Sequence, residues 1–259
     1  MKFKQYYEVS MKKFFICIIR FIAFALIIIC IIYISKWFLD NNATNKILAN
    51  IKNSNIIEEK SITLNDKVLN IMNINFDELK EENSDTVAWI KINNTKIDYP
   101  VLQSSDNNFY LTHSFDKTFN KSGWIFADST NNFSNSNFDK NTVIYGHNRM
   151  NDSMFGTLSN IMSYDWLNND GLIYLYTPYA CTIWKVFSTY TINSEDYYIR
   201  TSFSSDEEFK TFLETITNRS TFKIDNSISY NDNIITLSTC NNVGDGRIVV
   251  HAKLLEEIQ

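Results

Sequence analysis

One thiol and one arginine lie seven residues apart in the segment TLSTCNNVGDGR, residues 236–247. Each belongs to a run rich in β-branched residues, and the Asn and Gly residues between the two runs suit a turn. An antiparallel hairpin with symmetric pairing predicts three facing pairs: Cys240 with Arg247, Ser238 with Val249, and Thr236 with His251. Facing side chains point to the same side, with Cβ atoms about 5 Å apart. A guanidinium beside a thiol can stabilise the thiolate, or bind the oxyanion that forms when the sulfur attacks a carbonyl.

A thiol nucleophile also needs a group that moves protons, and the chain offers three histidines, His113, His147 and His251. In the register above, His251 lies four residues along the strand from Cys240, about 13 Å at about 3.3 Å per residue. That distance is too long for direct proton exchange, so we expect His251 to be structural. His147 and His113 have similar loop contexts, and their spacing leaves both open. Gly146 favours His147, because glycine permits close backbone approach.

Ordinary explanations compete with catalysis for these residues. A lone cysteine is most often a small buried side chain, and a lone arginine is most often a solvated surface charge. Cys181 has no His or Arg nearby in the sequence, and we expect it in the core. Since Cys181 and Cys240 are the only cysteines after the apolar N-terminal segment, the chain is not a disulfide scaffold. A single 181–240 bridge stays open.

The N-terminal segment, residues 14–39, is almost entirely apolar and long enough to cross a bilayer as one helix. Lysines 2, 4, 12 and 13 and Arg20 precede or open it, so the positive-inside rule predicts a cytoplasmic N-terminus and an extracellular remainder. A cleaved signal peptide competes, but the apolar region is long and lacks a clear small-x-small site. A buried core helix would show a polar face. We predict a cytoplasmic tail, residues 1–13, and a transmembrane signal-anchor, residues 14–39.

Charge is distributed unevenly along the chain. Residues 1–39 carry six Lys or Arg and one Glu, a net of +5, so the overall net charge of −5 leaves −10 on residues 40–259. This acidic balance argues against nucleic acid as a partner. Residues 40–84 are rich in Asn, Lys and Glu, and their apolar residues have roughly helical spacing: Ile47, Leu48 and Ile51, then Val68, Leu69 and Met72. The pattern predicts a polar stalk with one or two helices.

Eight short runs of β-branched and aromatic residues recur in the last part of the chain, residues 85–259, between turns of Asn, Asp and Gly. They are residues 86–92, 96–102, 123–127, 142–145, 172–177, 182–192, 234–239 and 248–255. This pattern predicts a sandwich or a closed barrel. Two helices are predicted between the runs. Residues 153–162 carry apolar side chains on one helical face, and residues 205–216 begin with a Ser-x-x-Glu capping box.

Three segments resemble signatures of the sortases. ITLSTC followed by GRIVVHAKL resembles the Thr-Leu-x-Thr-Cys motif and the downstream arginine of that family, and NTVIYGHNRMNDSMFGTL resembles the histidine segment of its class B group. DTVAWIKINNTKIDYPVLQSSDNNFYLTHSF looks like the opening strands of the group, so the resemblance covers about residues 85–255. It implies a membrane-anchored cysteine transpeptidase of Gram-positive bacteria. The implied fold is mostly β with peripheral helices: a closed eight-stranded barrel after N-terminal helices and a transmembrane helix.

The resemblance also implies a role for individual residues. Cys240 would be the nucleophile, His147 the general acid and base in preference to His113, and Arg247 the group that positions substrate and stabilises the oxyanion. The matching substrate-groove positions are Asn107, Leu111, Tyr198, Ile199 and Ser238. Each of these, taken singly, is as readily explained as an ordinary loop or core residue.

The implied reaction begins with cleavage of a Pro-x-Thr-type sorting signal after Thr, which leaves a thioester on the enzyme. An amine of a cell-wall peptide then displaces the enzyme, so that the partners are surface proteins with the signal and the cell-wall precursor or peptidoglycan. No cofactor is expected. No metal is expected either, because no acidic cluster matches the calcium site of some class A enzymes.

Two other functions stay open on the sequence alone. A surface cysteine protease would share the thiol and the histidine but pass the acyl group to water. An anchored binding domain without activity would use Cys240 for structure only. The loop between Cys240 and Arg247 holds six residues, fewer than in several relatives, which leaves its own contacts open.

Overall fold

The computed structural model describes residues 2–64, 67–135, 137–169, 171–193, 195–224, 227–240 and 246–258, with side chains for all of these except residues 2–12, 56–58, 64, 67 and 240. The chain divides into two compact units, residues 1–45 and residues 46–259.

The helices and strands follow one another along the described residues with these bounds. They are α1 (Lys2–Asn55), β1 (Ile56–Leu64), β2 (Lys67–Ile74), α2 (Phe76–Glu82), β3 (Thr86–Lys91), β4 (Asp98–Leu102), β5 (Phe126–Ala127), β6 (Asn141–His147), α3 (Tyr164–Asn169), β7 (Leu172–Tyr176), β8 (Cys181–Ile192), α4 (Asp206–Asn218), β9 (Ile234–Cys240) and β10 (Arg247–Ile258).

The first unit is the N-terminal part of α1. From Lys13 onward this helix contains a segment that is long and apolar enough to cross a membrane. Large apolar side chains from Phe14 to Leu39 are exposed along it, as lipid contact requires. The predicted helix over residues 14–39 is therefore present, and it is a candidate membrane span.

The N-terminal part of the second unit corrects one prediction. Strands β1 and β2 form an antiparallel hairpin where Val68, Leu69 and Met72 predicted a helix. Leu69 and Ile71 are buried whereas Val68 is 70% exposed, which is the alternation of a strand. The helical spacing misled because residues two apart, rather than three or four apart, face the interior. The end of α1, with Ile51 buried, and the short α2 supply the helices of this region.

Strands β3 to β10 close into a mixed barrel in the order β10-β8-β7-β3-β4-β5-β6-β9, with β9 paired to β10. Each of the eight predicted runs contains one of these strands, so the barrel alternative of the prediction is confirmed. Two of the neighbouring pairs, β4 with β5 and β6 with β9, are parallel, and the other pairs are antiparallel. Both parallel pairs flank the short β5–β6 arm, which brings residues distant in sequence to one rim.

Helix α4 confirms the second predicted helix. The Ser205 side chain caps it by accepting a hydrogen bond from the backbone N–H of Glu208. Its apolar face packs into a cluster with strands β8 to β10. The buried side chains of that face are Phe209, Phe212, Leu213 and Ile216.

The first predicted helix, residues 153–162, is wrong in conformation. Asp152 and Met154 have φ of 64° and 53°, in the left-handed region, and only a 3-10 turn at Leu158–Ile161 is helical. The segment turns back because the Phe155 N–H donates to the carbonyl of His147, 3.0 Å away. Its apolar residues are buried as the helical pattern requires, but the turn places them. Helix α3 was not predicted.

Candidate active site

The candidate nucleophile and the candidate acid–base group end two neighbouring strands. Strand β6 pairs in parallel with β9, from Asn141 opposite Ile234 to His147 opposite Cys240. Neighbouring strands lie about 4.8 Å apart, and residues paired in this way point to the same face of the sheet. The backbone thus brings residues 147 and 240 together at one rim of the barrel. The thiol itself lies outside the described side chains.

The predicted hairpin register is observed between β9 and β10. Val249 pairs with Ser238, and His251 pairs with Thr236, so the symmetric pairing is confirmed at both positions. The same register continued by two residues sets Arg247 opposite Cys240. The predicted turn between them falls largely on residues 241–245, outside the described part of the chain.

The imidazole of His147 is buried, at 4% exposure, and its Nε2 lies 2.7 Å from the carbonyl oxygen of Leu111. A carbonyl can only accept a hydrogen bond, so Nε2 carries a proton. Proton exchange with a reacting group would then run through Nδ1. Leu111, which ends the 3-10 turn Phe109–Leu111, thus reaches the site through its backbone.

Two glycines shape the surroundings of this histidine. Gly123 has a φ of +58°, and a Cβ there would lie 2.8 Å both from His147 Cδ2 and from the Leu111 carbonyl oxygen. A Cβ on Gly146 would lie 2.8 Å from the ring of Phe155. The close approach expected at Gly146 is therefore present. Gly123 was not singled out from the sequence, where it opens the run at residues 123–127.

The predicted groove residues Tyr198 and Ser238 are brought together with the arginine. The Tyr198 hydroxyl lies 3.0 Å from Ser238 Oγ and accepts a hydrogen bond from Arg247 Nη1 at 3.3 Å. Tyr198 is fully buried, and Ile199 follows it in the 3-10 turn Tyr197–Ile199. This turn lies beside the end of β9, next to the candidate nucleophile.

Asn107 belongs to a second polar group, centred on the buried carboxylate of Asp128. Asp128 Oδ2 accepts from Asn107 Nδ2 and from the Tyr145 hydroxyl, each at 2.8 Å. Its Oδ1 accepts from the backbone N–H and the hydroxyl of Thr130, at 2.9 and 2.7 Å. Tyr145 lies two residues before His147, so both point to one face of β6. Sequence reasoning missed Asp128 and Tyr145; their signal was a carboxylate and a phenol at the ends of strand-like runs.

The other histidines make contacts away from this pair. His113 stacks on Phe109 with ring centroids 4.0 Å apart, and its Nδ1 lies 2.8 Å from the Phe109 carbonyl oxygen. His251 is fully buried between hydroxyl groups of Tyr190 and Thr236, and burial lowers its pKa to about 3. The expectation that His251 is structural agrees with these contacts.

Cys181 is a free, buried cysteine at the start of β8, so it forms no bridge to Cys240. Burial raises the pKa of its thiol to about 12, which keeps it protonated and unreactive at neutral pH. The expectation of a core cysteine is confirmed. Within the part of the chain that the structure describes, no group of three or more His, Cys, Asp or Glu side chains could hold a metal ion.

Comparison with known proteins gives the family. A family model of the sortase domain matches residues 90–255. This chain belongs to the sortase family. Sortase B of Listeria monocytogenes is 36% identical over 181 residues, which are 69% of this chain and 73% of that protein.

Solved sortase B structures match this sortase in fold. Sortase B from B. anthracis, crystallised in complex with AAEK1, superposes with a TM-score of 0.72 at 33% identity, over 85% of this chain and 99% of that chain. A Staphylococcus aureus sortase B–substrate complex superposes with a TM-score of 0.66 at 34% identity, over 70% and 84%. The class B resemblance, the barrel and the classification as a cysteine transpeptidase are thereby confirmed.

Proposed function

We propose that this sortase cleaves a Pro-x-Thr-type sorting signal after Thr, forms a thioester on Cys240 and transfers the protein to an amine of a cell-wall peptide. The observation that carries the proposal is the parallel pairing of His147 with Cys240 at the ends of β6 and β9. The substrate complex of the Staphylococcus aureus relative supports a peptide substrate.

Acylation would use these groups in sequence. The thiolate of Cys240 attacks the carbonyl carbon of the substrate threonine, and the carbonyl oxygen becomes an oxyanion beside Arg247. The imidazolium of His147 then gives its proton to the leaving amine, the C–N bond breaks and a thioester remains. In the second half, the incoming amine loses a proton to His147 and attacks the thioester, and Cys240 leaves as the thiolate.

The position of Arg247 supports its proposed role. Its guanidinium is held by the hydroxyl of Tyr198, which is itself held by Ser238 on the nucleophile's strand. A planar fork fixed in this way can present further N–H donors toward the end of β9 without reorganising during the reaction.

The sorting signal would lie between two sets of groove residues. Tyr198, Ile199 and Ser238 stand on the arginine side, and Asn107 and Leu111 stand on the histidine side. Because the side chains of Tyr198 and Asn107 are fixed by hydrogen bonds in the structure, little ordering would be needed on binding.

We also propose the placement of the protein in the cell. Residues 1–13 would be a cytoplasmic tail, residues 14–39 a signal-anchor, residues 40–84 a stalk region with the β1–β2 hairpin, and residues 85–259 the extracellular catalytic domain. Basic residues before the span and the acidic remainder support this orientation. Its partners would be surface proteins with the sorting signal and the cell-wall peptide.

The test incubates the full-length protein in detergent with a Pro-x-Thr peptide, with and without triglycine as the amine. We expect a peptide thioester on Cys240 by mass spectrometry, and a ligated product that needs triglycine. Cys240→Ala should abolish both while the fold is kept, and the matched variant Cys181→Ala should retain both. Hydrolysis alone would favour a cysteine protease, and full cleavage by Cys240→Ala would leave only a binding domain.

A further inference from the structure

A chain of buried hydrogen bonds runs through the barrel from His251. Its ring is fully buried, with Nε2 2.8 Å from the Tyr190 hydroxyl and Nδ1 2.8 Å from the Thr236 hydroxyl. Thr236 in turn donates to Asn141 Oδ1 at 2.7 Å, and Asn141 Nδ2 donates to the Arg200 carbonyl oxygen at 2.8 Å.

The direction of these bonds follows from their last acceptor. The Arg200 carbonyl can only accept, so the amide NH₂ of Asn141 faces it and the amide oxygen faces Thr236. Thr236 has one proton and gives it to Asn141, so it must accept from Nδ1–H of His251. Only one orientation satisfies all of these groups.

The other half of the chain is oriented by the neutral imidazole. With its proton on Nδ1, His251 presents a lone pair at Nε2, and the Tyr190 hydroxyl must donate to it. The oxygen of Tyr190 can then accept from the Tyr197 hydroxyl, 3.4 Å away. The bonds therefore run in one direction, from Tyr197 through the barrel to Arg200.

Both ends of the chain lie on one short segment. Tyr197 begins the 3-10 turn Tyr197–Ile199, and Arg200 ends it. Between them lies Tyr198, which contacts Ser238 and Arg247.

We propose that His251 is a positioning residue that fixes the Tyr197–Ile199 turn, and with it the peptide-binding surface, from inside the barrel. The part of this inference that concerns peptide binding rests on the proposed function. The physical reason is that a missing link leaves the next donor or acceptor buried without a partner, so the loss is passed along the chain to the turn.

The test compares two variants of the full-length protein in detergent. Thr236→Val keeps the side-chain shape but breaks the chain in its middle. Ser188→Ala is the matched control: Ser188 is fully buried and pairs with His251 across β8 and β10, but its hydroxyl donates to the Ile216 carbonyl of α4. Each variant thus loses a buried hydroxyl, and only the first one belongs to the chain.

Hydrogen exchange of the segment 195–203, measured by mass spectrometry, is the readout that does not depend on activity. We expect exchange about tenfold faster in Thr236→Val and unchanged in Ser188→Ala. KM for the Pro-x-Thr peptide should rise in Thr236→Val, while the rate of Cys240 alkylation stays the same. Tyr197→Phe, at a half-buried position, is a milder second variant and should speed exchange of the same segment by a smaller factor.

Equal exchange of the segment in Thr236→Val and Ser188→Ala, or no change in Thr236→Val and Tyr197→Phe, overturns the inference whether or not the wild type cleaves peptide. A wild type that neither cleaves nor ligates peptide overturns the proposed function, and the exchange result still decides whether His251 positions the turn.

Discussion

Gly123 lies directly against the imidazole of His147: a Cβ at position 123 would come within 2.8 Å of His147 Cδ2. The same Cβ would lie 2.8 Å from the Leu111 carbonyl that accepts from Nε2. One glycine thus leaves the space that both the ring and its hydrogen-bond partner occupy.

Gly123→Ala should therefore displace the imidazole. We expect kcat/KM to fall about 100-fold, because small displacements of a catalytic group are costly. The positive φ of +58° should add a loss of stability of about 1 to 2 kcal/mol. Gly171→Ala is the matched control, with a φ of +59° and a Cβ that would meet Lys185 and Leu167 instead. Equal kinetic losses in the two variants would show that strain alone is responsible.

Arg247→Lys keeps the positive charge but loses the planar fork that Tyr198 holds. We expect kcat to fall about 100-fold with little change in KM, because the lost donors would act on the oxyanion rather than on the bound peptide. Steady-state kinetics with the Pro-x-Thr peptide measure this. Arg200→Lys, which alters an ion pair with Glu208 on α4, should behave as the wild type. Wild-type kinetics in Arg247→Lys would remove the arginine from the mechanism.

Asp128→Asn should weaken peptide binding through Asn107 and Tyr145. The carboxylate accepts four hydrogen bonds, and an amide would turn an N–H group toward one of these donors. We expect KM to rise about tenfold while the rate of Cys240 alkylation is kept. Tyr145→Phe removes one of the four donors and should raise KM less.

The control for Asp128 is Asp98→Asn, which disturbs a carboxylate bonded to Trp89 and Lys52 on β4. It should lower stability without raising KM. The interpretation is wrong if Asp98→Asn raises KM as much as Asp128→Asn does.

His251 should make the stability of the barrel depend on pH. Its folded pKa is lowered to about 3 by burial, whereas an unfolded histidine has a pKa of about 6.5. Between these values the unfolded chain binds the proton and the native chain does not, so stability falls as pH decreases from about 6.5 toward 3. Between pH 7.5 and pH 5 the loss should be about 2 kcal/mol.

Urea denaturation followed by tryptophan fluorescence measures this loss. His251→Asn, which cannot titrate, should lose less stability than the wild type over the same pH range, by about 2 kcal/mol. Parallel pH profiles of the two proteins would mean that the histidine does not have the lowered pKa.

Local patterns were sufficient for the barrel strands and for α4. Runs of β-branched residues between turn residues predict strands because both preferences are local, and the Ser205 cap marks the start of α4 for the same reason. Residues 68–72 and 153–162 were misread because apolar spacing over a few residues fits more than one backbone. Burial on one face decided the first segment, and the left-handed φ of Met154 is incompatible with a helix in the second.

The sequence by itself determined which strands form and set the register of the β9–β10 hairpin, because a short connection limits how its two strands can pair. Only the tertiary structure decided that β6 lies parallel to β9, which sets His147 beside Cys240 although 93 residues separate them in the chain. It also decided that Gly123 and Asp128 adjoin the site. Such contacts depend on barrel closure and on packing between distant segments, and no short-range spacing encodes them.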